Sequence, residues 1–131
     1  MSQENVEIVR GIYEAWARHE FPGPADVLDP EIEYVNPAGA VEPGTRHGLE
    51  AFTRAVEQVF VEGWEGWRFD LERLAPRGDR VAVVLGYRAR GRESRVEVEG
   101  RLSTLWTLRG GMVVRFEWFH GADEALEAIG S

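Results

Sequence analysis

Between Trp67 and His120 apolar residues recur at mostly every second position, with breaks at Pro76-Arg77-Gly78-Asp79, Gly91-Arg92-Glu93-Ser94 and Gly110-Gly111. A period of two belongs to a pleated strand, whose successive side chains alternate between two faces. Breaks this short can join only antiparallel neighbours, because a parallel return needs a crossover of a dozen residues or more. The second half of the chain is therefore expected to be a four-strand meander, at about 67–74, 80–90, 95–109 and 112–120.

The first half follows a different period. Ile8 or Val9, Ile12, Tyr13 and Trp16 recur at helical spacing behind a Ser2 cap, and Phe21-Pro22-Gly23-Pro24 ends that helix. A short helix around Ala25 to Leu28 comes next. Residues 31–36 then alternate as a strand until Pro37 and the Gly39 to Gly44 loop break it. Leu49, Phe52, Val56 and Phe60 form the apolar stripe of another helix, which exits at Gly63 and Gly66, and a last short helix over 123–129 ends at Gly130. Helices followed by a meander make an α+β domain in which a curved sheet wraps around the helices and can enclose a pocket. With 131 residues, the chain has room for a single domain, 1–131.

Composition removes several function classes. A formal charge of −8 opposes a nucleic-acid or anionic-membrane surface, which needs a clustered basic footprint. The chain has no cysteine, hence no thiol nucleophile, disulfide or thiolate zinc site. All 15 basic residues are arginine, which excludes Schiff-base chemistry. The polar N-terminus resembles no secretory signal and no apolar run could span a bilayer, so the expected location is cytoplasmic.

The hairpin around Gly110-Gly111 can be counted. A two-residue turn pairs Arg109 with Met112, so opposing residue numbers sum to 221; Ser103 then faces Trp118 and Arg101 faces His120, on one face with Leu105 and Phe116. The other face carries Leu102, Thr104, Trp106 and Leu108 against Phe119, Glu117, Arg115 and Val113, joined by Val81, Val83, Leu85 and Tyr87. A bulge in these strands would reverse the assignment. One face must meet the helices and the other is then too apolar for water, so a homodimer through the sheet is expected.

Three strand segments each place two polar or aromatic side chains at i and i+2, on one face: Tyr34 with Asn36, Arg101 with Ser103, and Trp118 with His120. If these strands line one cavity, six groups converge there, and His120 is the one that titrates near neutral pH. Rival roles are mundane: Asn36 starting the Asn-Pro turn, Arg101 solvated beside Glu97 and Glu99, and the aromatics packing a core. Glu117 is a second acid-base candidate if buried unpaired, although adjacent Arg115 offers it an ion pair. His19 and His47 join no metal-ligand spacing, and no Gly-x-Ser-x-Gly elbow or phosphate loop is present.

The order of elements, the Tyr-Glu-Ala-Trp stretch in the first helix, Leu28-Asp29-Pro30, Trp106-Thr107-Leu108-Arg109-Gly110-Gly111 and Glu124-Ala125-Leu126-Glu127-Ala128 resemble SnoaL-like proteins of the nuclear transport factor 2-like superfamily. The resemblance spans essentially the whole chain. It implies a cone-shaped α+β fold with a curved, antiparallel or mixed sheet wrapped around three N-terminal helices and followed by a short C-terminal one. It also implies a homodimer and a hydrophobic pocket that serves isomerisation, cyclisation, epoxide opening, dehydration or binding alone, with side chains and no cofactor or metal. A small, mostly apolar ligand would be lined by Tyr13, Trp16, Phe52, Phe60, Trp67, Trp118 and Ser103.

Within that superfamily, limonene epoxide hydrolase pairs Tyr-x-Asn, Arg-x-Asp and Trp-x-Asp. Here Tyr34-x-Asn36, Arg101-x-Ser103 and Trp118-x-His120 keep the frame and lose both carboxylates. His120 could still take a proton from a water held by Tyr34 and Asn36, with Arg101 as electrostatic partner, while Ser103 is no general acid at neutral pH. The ketosteroid isomerase pattern fits worse, because Asn36 stands where its Asp would precede Pro37, and Ile12 rather than Tyr13 holds its Tyr position. The expected function is thus a hydrolase-, isomerase- or cyclase-type pocket with His120 as acid or base, the alternative being a non-catalytic binding or dimerisation module.

Overall fold

The computed structural model describes residues 2–40 and 43–130; residues 41 and 42, within the expected loop, and the Ser2 side chain, the expected cap, lie outside it. Helix α1 (Ser2–Ala17) is followed by a 3₁₀ turn (Ala25–Val27), strands β1 (Leu28–Asn36) and β2 (Gly44–His47), and helix α2 (Leu49–Glu57), which continues as a π-helical turn (Gln58–Glu62). The meander is β3 (Trp64–Arg77), β4 (Arg80–Gly91), β5 (Glu97–Arg109) and β6 (Met112–Phe119), and α3 (Glu124–Gly130) closes the chain.

The six strands form one mixed, curled sheet in the order β2-β1-β6-β5-β4-β3, open at its ends. β1 runs parallel to β6 and the other neighbours are antiparallel. β2 is an addition to the sequence expectation. Gly-Thr-Arg-His carries no apolar alternation, and this edge strand rests on its backbone ladder with residues 33–36 of β1.

Gly110 and Gly111 both take positive φ, 60° and 81°, the backbone twist of a two-residue hairpin, and Arg109 does pair with Met112. Leu108 pairs with Val113, but Thr107 then pairs with Arg115, so the sum moves from 221 to 222 and Val114 is the extra residue of a bulge. The slip turns both Val113 and Phe116 inward, which strict alternation forbids for residues three apart. It also reverses the faces expected for β6. Thr104 now faces Trp118 and Trp106 faces Phe116, while Ser103 opposes Phe119 and Leu105 opposes Glu117.

The β4–β5 ladder pairs Val81 with Trp106, Val83 with Thr104 and Leu85 with Leu102, the shared face expected from sequence. That concave face meets α1 and α2 through Val9, Ile12, Phe52 and Val56, all at most 1% exposed. On the convex face Ala82 and Leu105 pack under Ala125 and Ile129 of α3. Covering apolar area in this way is the main stabilising term of such a domain. The C-terminal helix thus removes much of the apolar surface on which the expected dimer rested. Beside that patch the convex face carries charge: Arg115 bridges Glu33 at 3.0 Å and Glu117 at 2.9 Å. Glu117 is accordingly ion-paired, as adjacent Arg115 allowed.

Candidate functional site

Tyr13 and Trp16 project from α1 into the cone, and Thr104 and Trp106 meet them from β5. The Tyr13 hydroxyl lies 2.8 Å from Thr104 Oγ1, which also accepts a hydrogen bond from Trp106 Nε1 at 2.9 Å. Trp16 Nε1 donates to the Pro22 carbonyl at 2.8 Å. These bonds satisfy groups whose burial would otherwise cost about 1–3 kcal/mol each. Desolvation at this depth pushes the Tyr13 hydroxyl well above its ordinary pKa, outweighing the Thr104 and Trp106 hydrogen bonds that pull it down.

Above this layer is a cavity of about 150 Å³. Tyr13, Trp16, Phe60, Trp67 and Trp118, all expected there, line it together with Tyr34, Phe69, Leu85, Leu102 and Phe116. The rings pack edge to face, with centroids 5.2 Å apart for Tyr13–Trp16 and 4.9 Å for Phe60–Trp67. Phe60 comes from the π-helical turn, whose extra residue extends the helix over the cavity roof. Phe52 is placed differently from expectation. It is fully buried against Tyr34 and Phe116, behind the cavity wall.

Tyr34, Val59 and Trp118 also border an open groove that continues past Asn36, Gly39, Arg46 and His120. Here Trp118 Nε1 donates to Asn36 Oδ1 at 2.6 Å, locking the ends of β1 and β6 together. Burial pushes the Tyr34 hydroxyl up to about 12, with Arg46 and Trp118 pulling against it. His120 lies just beyond β6, exposed, with its ring edge-on to Trp118 at 4.9 Å and its Cδ2 and Nε2 beside Gly39. Two of the three i, i+2 pairs therefore meet, at the mouth of the cavity.

The third pair does not. Arg101 is on the convex face, exposed and ion-paired with Glu72 of β3 at 2.7 Å. Ser103 is fully buried beneath α3, where its Oγ donates to the Gly121 carbonyl at 2.7 Å and accepts from the Ala125 amide at 3.1 Å. Both corrections have one cause: the bulge at Val114 carries Trp118 to the face opposite Arg101 and Ser103. A sequence signal existed, since the strict register put Glu117 and Arg115 among Leu102, Trp106 and Leu108. Thr104, missed as a cavity residue, follows from the same shift.

One lining group is left without a partner. Trp67 Nε1 is buried and makes no hydrogen bond. Among the described residues no cluster of three or more His, Asp or Glu side chains is arranged to hold a metal ion, and no helix is long and apolar enough to cross a membrane.

No curated protein matches the chain. Solved structures do. An NTF2-like protein from Burkholderia thailandensis is 29% identical, with 93% of this chain and 96% of that one covered at a TM-score of 0.77. An NTF2-like protein of unknown function from Burkholderia pseudomallei is 25% identical over 98% of both chains, with a TM-score of 0.75. TerC, co-crystallised with polyporic acid, shares the fold at 22% identity and a TM-score of 0.72, covering 98% of this chain and 99% of that one. A family model for the SnoaL-like domain matches residues 9–116, which, with the curled six-strand sheet, places this chain in the SnoaL-like family of the NTF2-like fold.

Proposed function

We propose that this protein binds a small, largely apolar ring compound whose ring occupies the aromatic cavity and whose polar substituent faces Tyr34, Asn36 and His120. The observation that carries the reading is the continuity of the two spaces, which share Tyr34, Val59 and Trp118. A dry aromatic chamber supplies affinity, and a few polar groups at one end supply orientation. A volume of about 150 Å³ suits a monocyclic ligand. The likeness to TerC, co-crystallised with polyporic acid, agrees with a small-molecule pocket.

Acid-base chemistry would come from His120 acting on the substituent at the mouth, directly or through a water. Binding without turnover is the second reading. It is favoured by Asn36 Oδ1, already held by Trp118, and by the exposure of His120. A homodimer belongs to the proposal only through the charged part of the convex face around Glu33, Arg115 and Glu117.

The test is thermal denaturation against a panel of monocyclic compounds, since a ligand that binds only the folded state raises Tm by mass action. Leu102→Trp, which fills the chamber, should abolish the shift. A shift unchanged by Leu102→Trp, or no shift across the panel, overturns the proposal. For any compound turned over, His120→Ala should remove turnover and retain binding if His120 is the base.

A further inference from the structure

Trp67 stands on β3, across the sheet from β1 and β6, and Trp64 of the same strand, 6.4 Å away between ring centroids, borders the groove from that side. Phe60, Phe69 and Tyr87 surround the Trp67 ring at centroid distances of 4.9, 5.8 and 6.0 Å. Phe60 and Phe69 carry no acceptor, the Tyr87 hydroxyl lies against Gly100 of β5, and the indole N–H is buried with no hydrogen bond. The other two tryptophans of the cavity are satisfied inside the protein: Trp16 by the Pro22 carbonyl and Trp118 by Asn36. Buried donors are almost always paired, so an orphan in the wall of a ligand-sized cavity points to a partner that arrives with the ligand.

We propose that Trp67 Nε1–H is a specificity-determining donor that selects ligands carrying a hydrogen-bond acceptor, a carbonyl or ether oxygen, on the ring edge that meets β3. This inference rests on the binding reading above and sharpens its substrate class. The ligand then carries two polar points, one recognised by Trp67 on β3 and one facing Tyr34, Asn36 and His120 at β1 and the end of β6. A hydrocarbon of the same shape would leave the donor unpaired and bind more weakly than its own hydrophobicity dictates.

Acetophenone and α-methylstyrene test it, being nearly the same shape with C=O replaced by C=CH2. Calorimetric titration gives the ratio of their dissociation constants for the unmodified protein and for Trp67→Phe, which keeps an aromatic wall and removes the donor. The ratio should move about tenfold against acetophenone in the variant. In the unmodified protein the Trp67 indole N–H proton resonance should shift downfield with acetophenone and stay in place with α-methylstyrene, a readout that does not depend on the variant folding. If both compounds bind and neither the ratio nor the resonance responds, the donor role is refuted and the binding reading stands. If neither compound binds, both fall together.

Discussion

Replacing Ser103 by alanine separates the bulged register from the strict one. In the structure Ser103 Oγ donates to the Gly121 carbonyl at 2.7 Å and accepts from the Ala125 amide at 3.1 Å, so it caps the start of α3 from a neighbouring strand. Alanine removes both bonds, each worth about 0.5–1.5 kcal/mol net, and leaves the buried Ala125 N–H unpaired. The expected loss is about 2–3 kcal/mol, or a fall in Tm of roughly 9 °C for a domain of this size. Urea denaturation measures the loss, and amide exchange locates it: the Ala125 N–H should lose protection selectively as α3 detaches from Ala82 and Leu105. Ligand binding in the cavity should be unaffected. A stability change under about 0.5 kcal/mol combined with altered ligand affinity would refute the reasoning and place Ser103 inside the cone.

Other perturbations probe the remaining layers. Thr104→Val strips the shared acceptor from Tyr13 and Trp106 and should cost about 2–3 kcal/mol in urea denaturation, whereas Thr104→Ser should recover most of it. Tyr34 titrates at about 12 in the folded state against 10.0 when unfolded, so folding favours its neutral form. Its contribution is intact below pH 10 and is lost as pH rises from 10 toward 12, by about 3 kcal/mol in all; Tyr34→Phe should about halve the fall in stability across that window, the remainder coming from Tyr13, whose hydroxyl burial also holds high. Arg101→Ala should leave both Tm and ligand affinity near their starting values, because its pairing with Glu72 is solvent-exposed on the convex face; a loss of affinity would return Arg101 to the site.

Local periodicity decided what could be read directly. Helical spacing marks Ile12 and Trp16 of α1 and Phe52 and Val56 of α2 as core, and the period of two marks Val81, Val83 and Leu85 as one face of β4, because an intrinsic repeat shows in the chain before any partner is present. The same repeats, with the residues that resemble SnoaL-like proteins, named the fold and most of the cavity wall. Local signals did not contain β2, whose residues lack a pattern and pair through backbone alone. Nor did they contain the bulge. The Gly110-Gly111 turn fixes the register at Arg109 and Met112, but Val113 and Phe116 can both reach the core only if Val114 is extruded. Whether that exchange happens depends on competition between ladder hydrogen bonds and apolar burial across the whole sheet. One residue of slip reverses every side chain beyond it. So the chain alone specifies the elements other than β2 and which aromatics are available. The folded sheet decides that Trp118 and His120 stand at the cavity mouth, while Arg101 and Ser103 face away, because strand parity is settled by packing between elements distant in sequence.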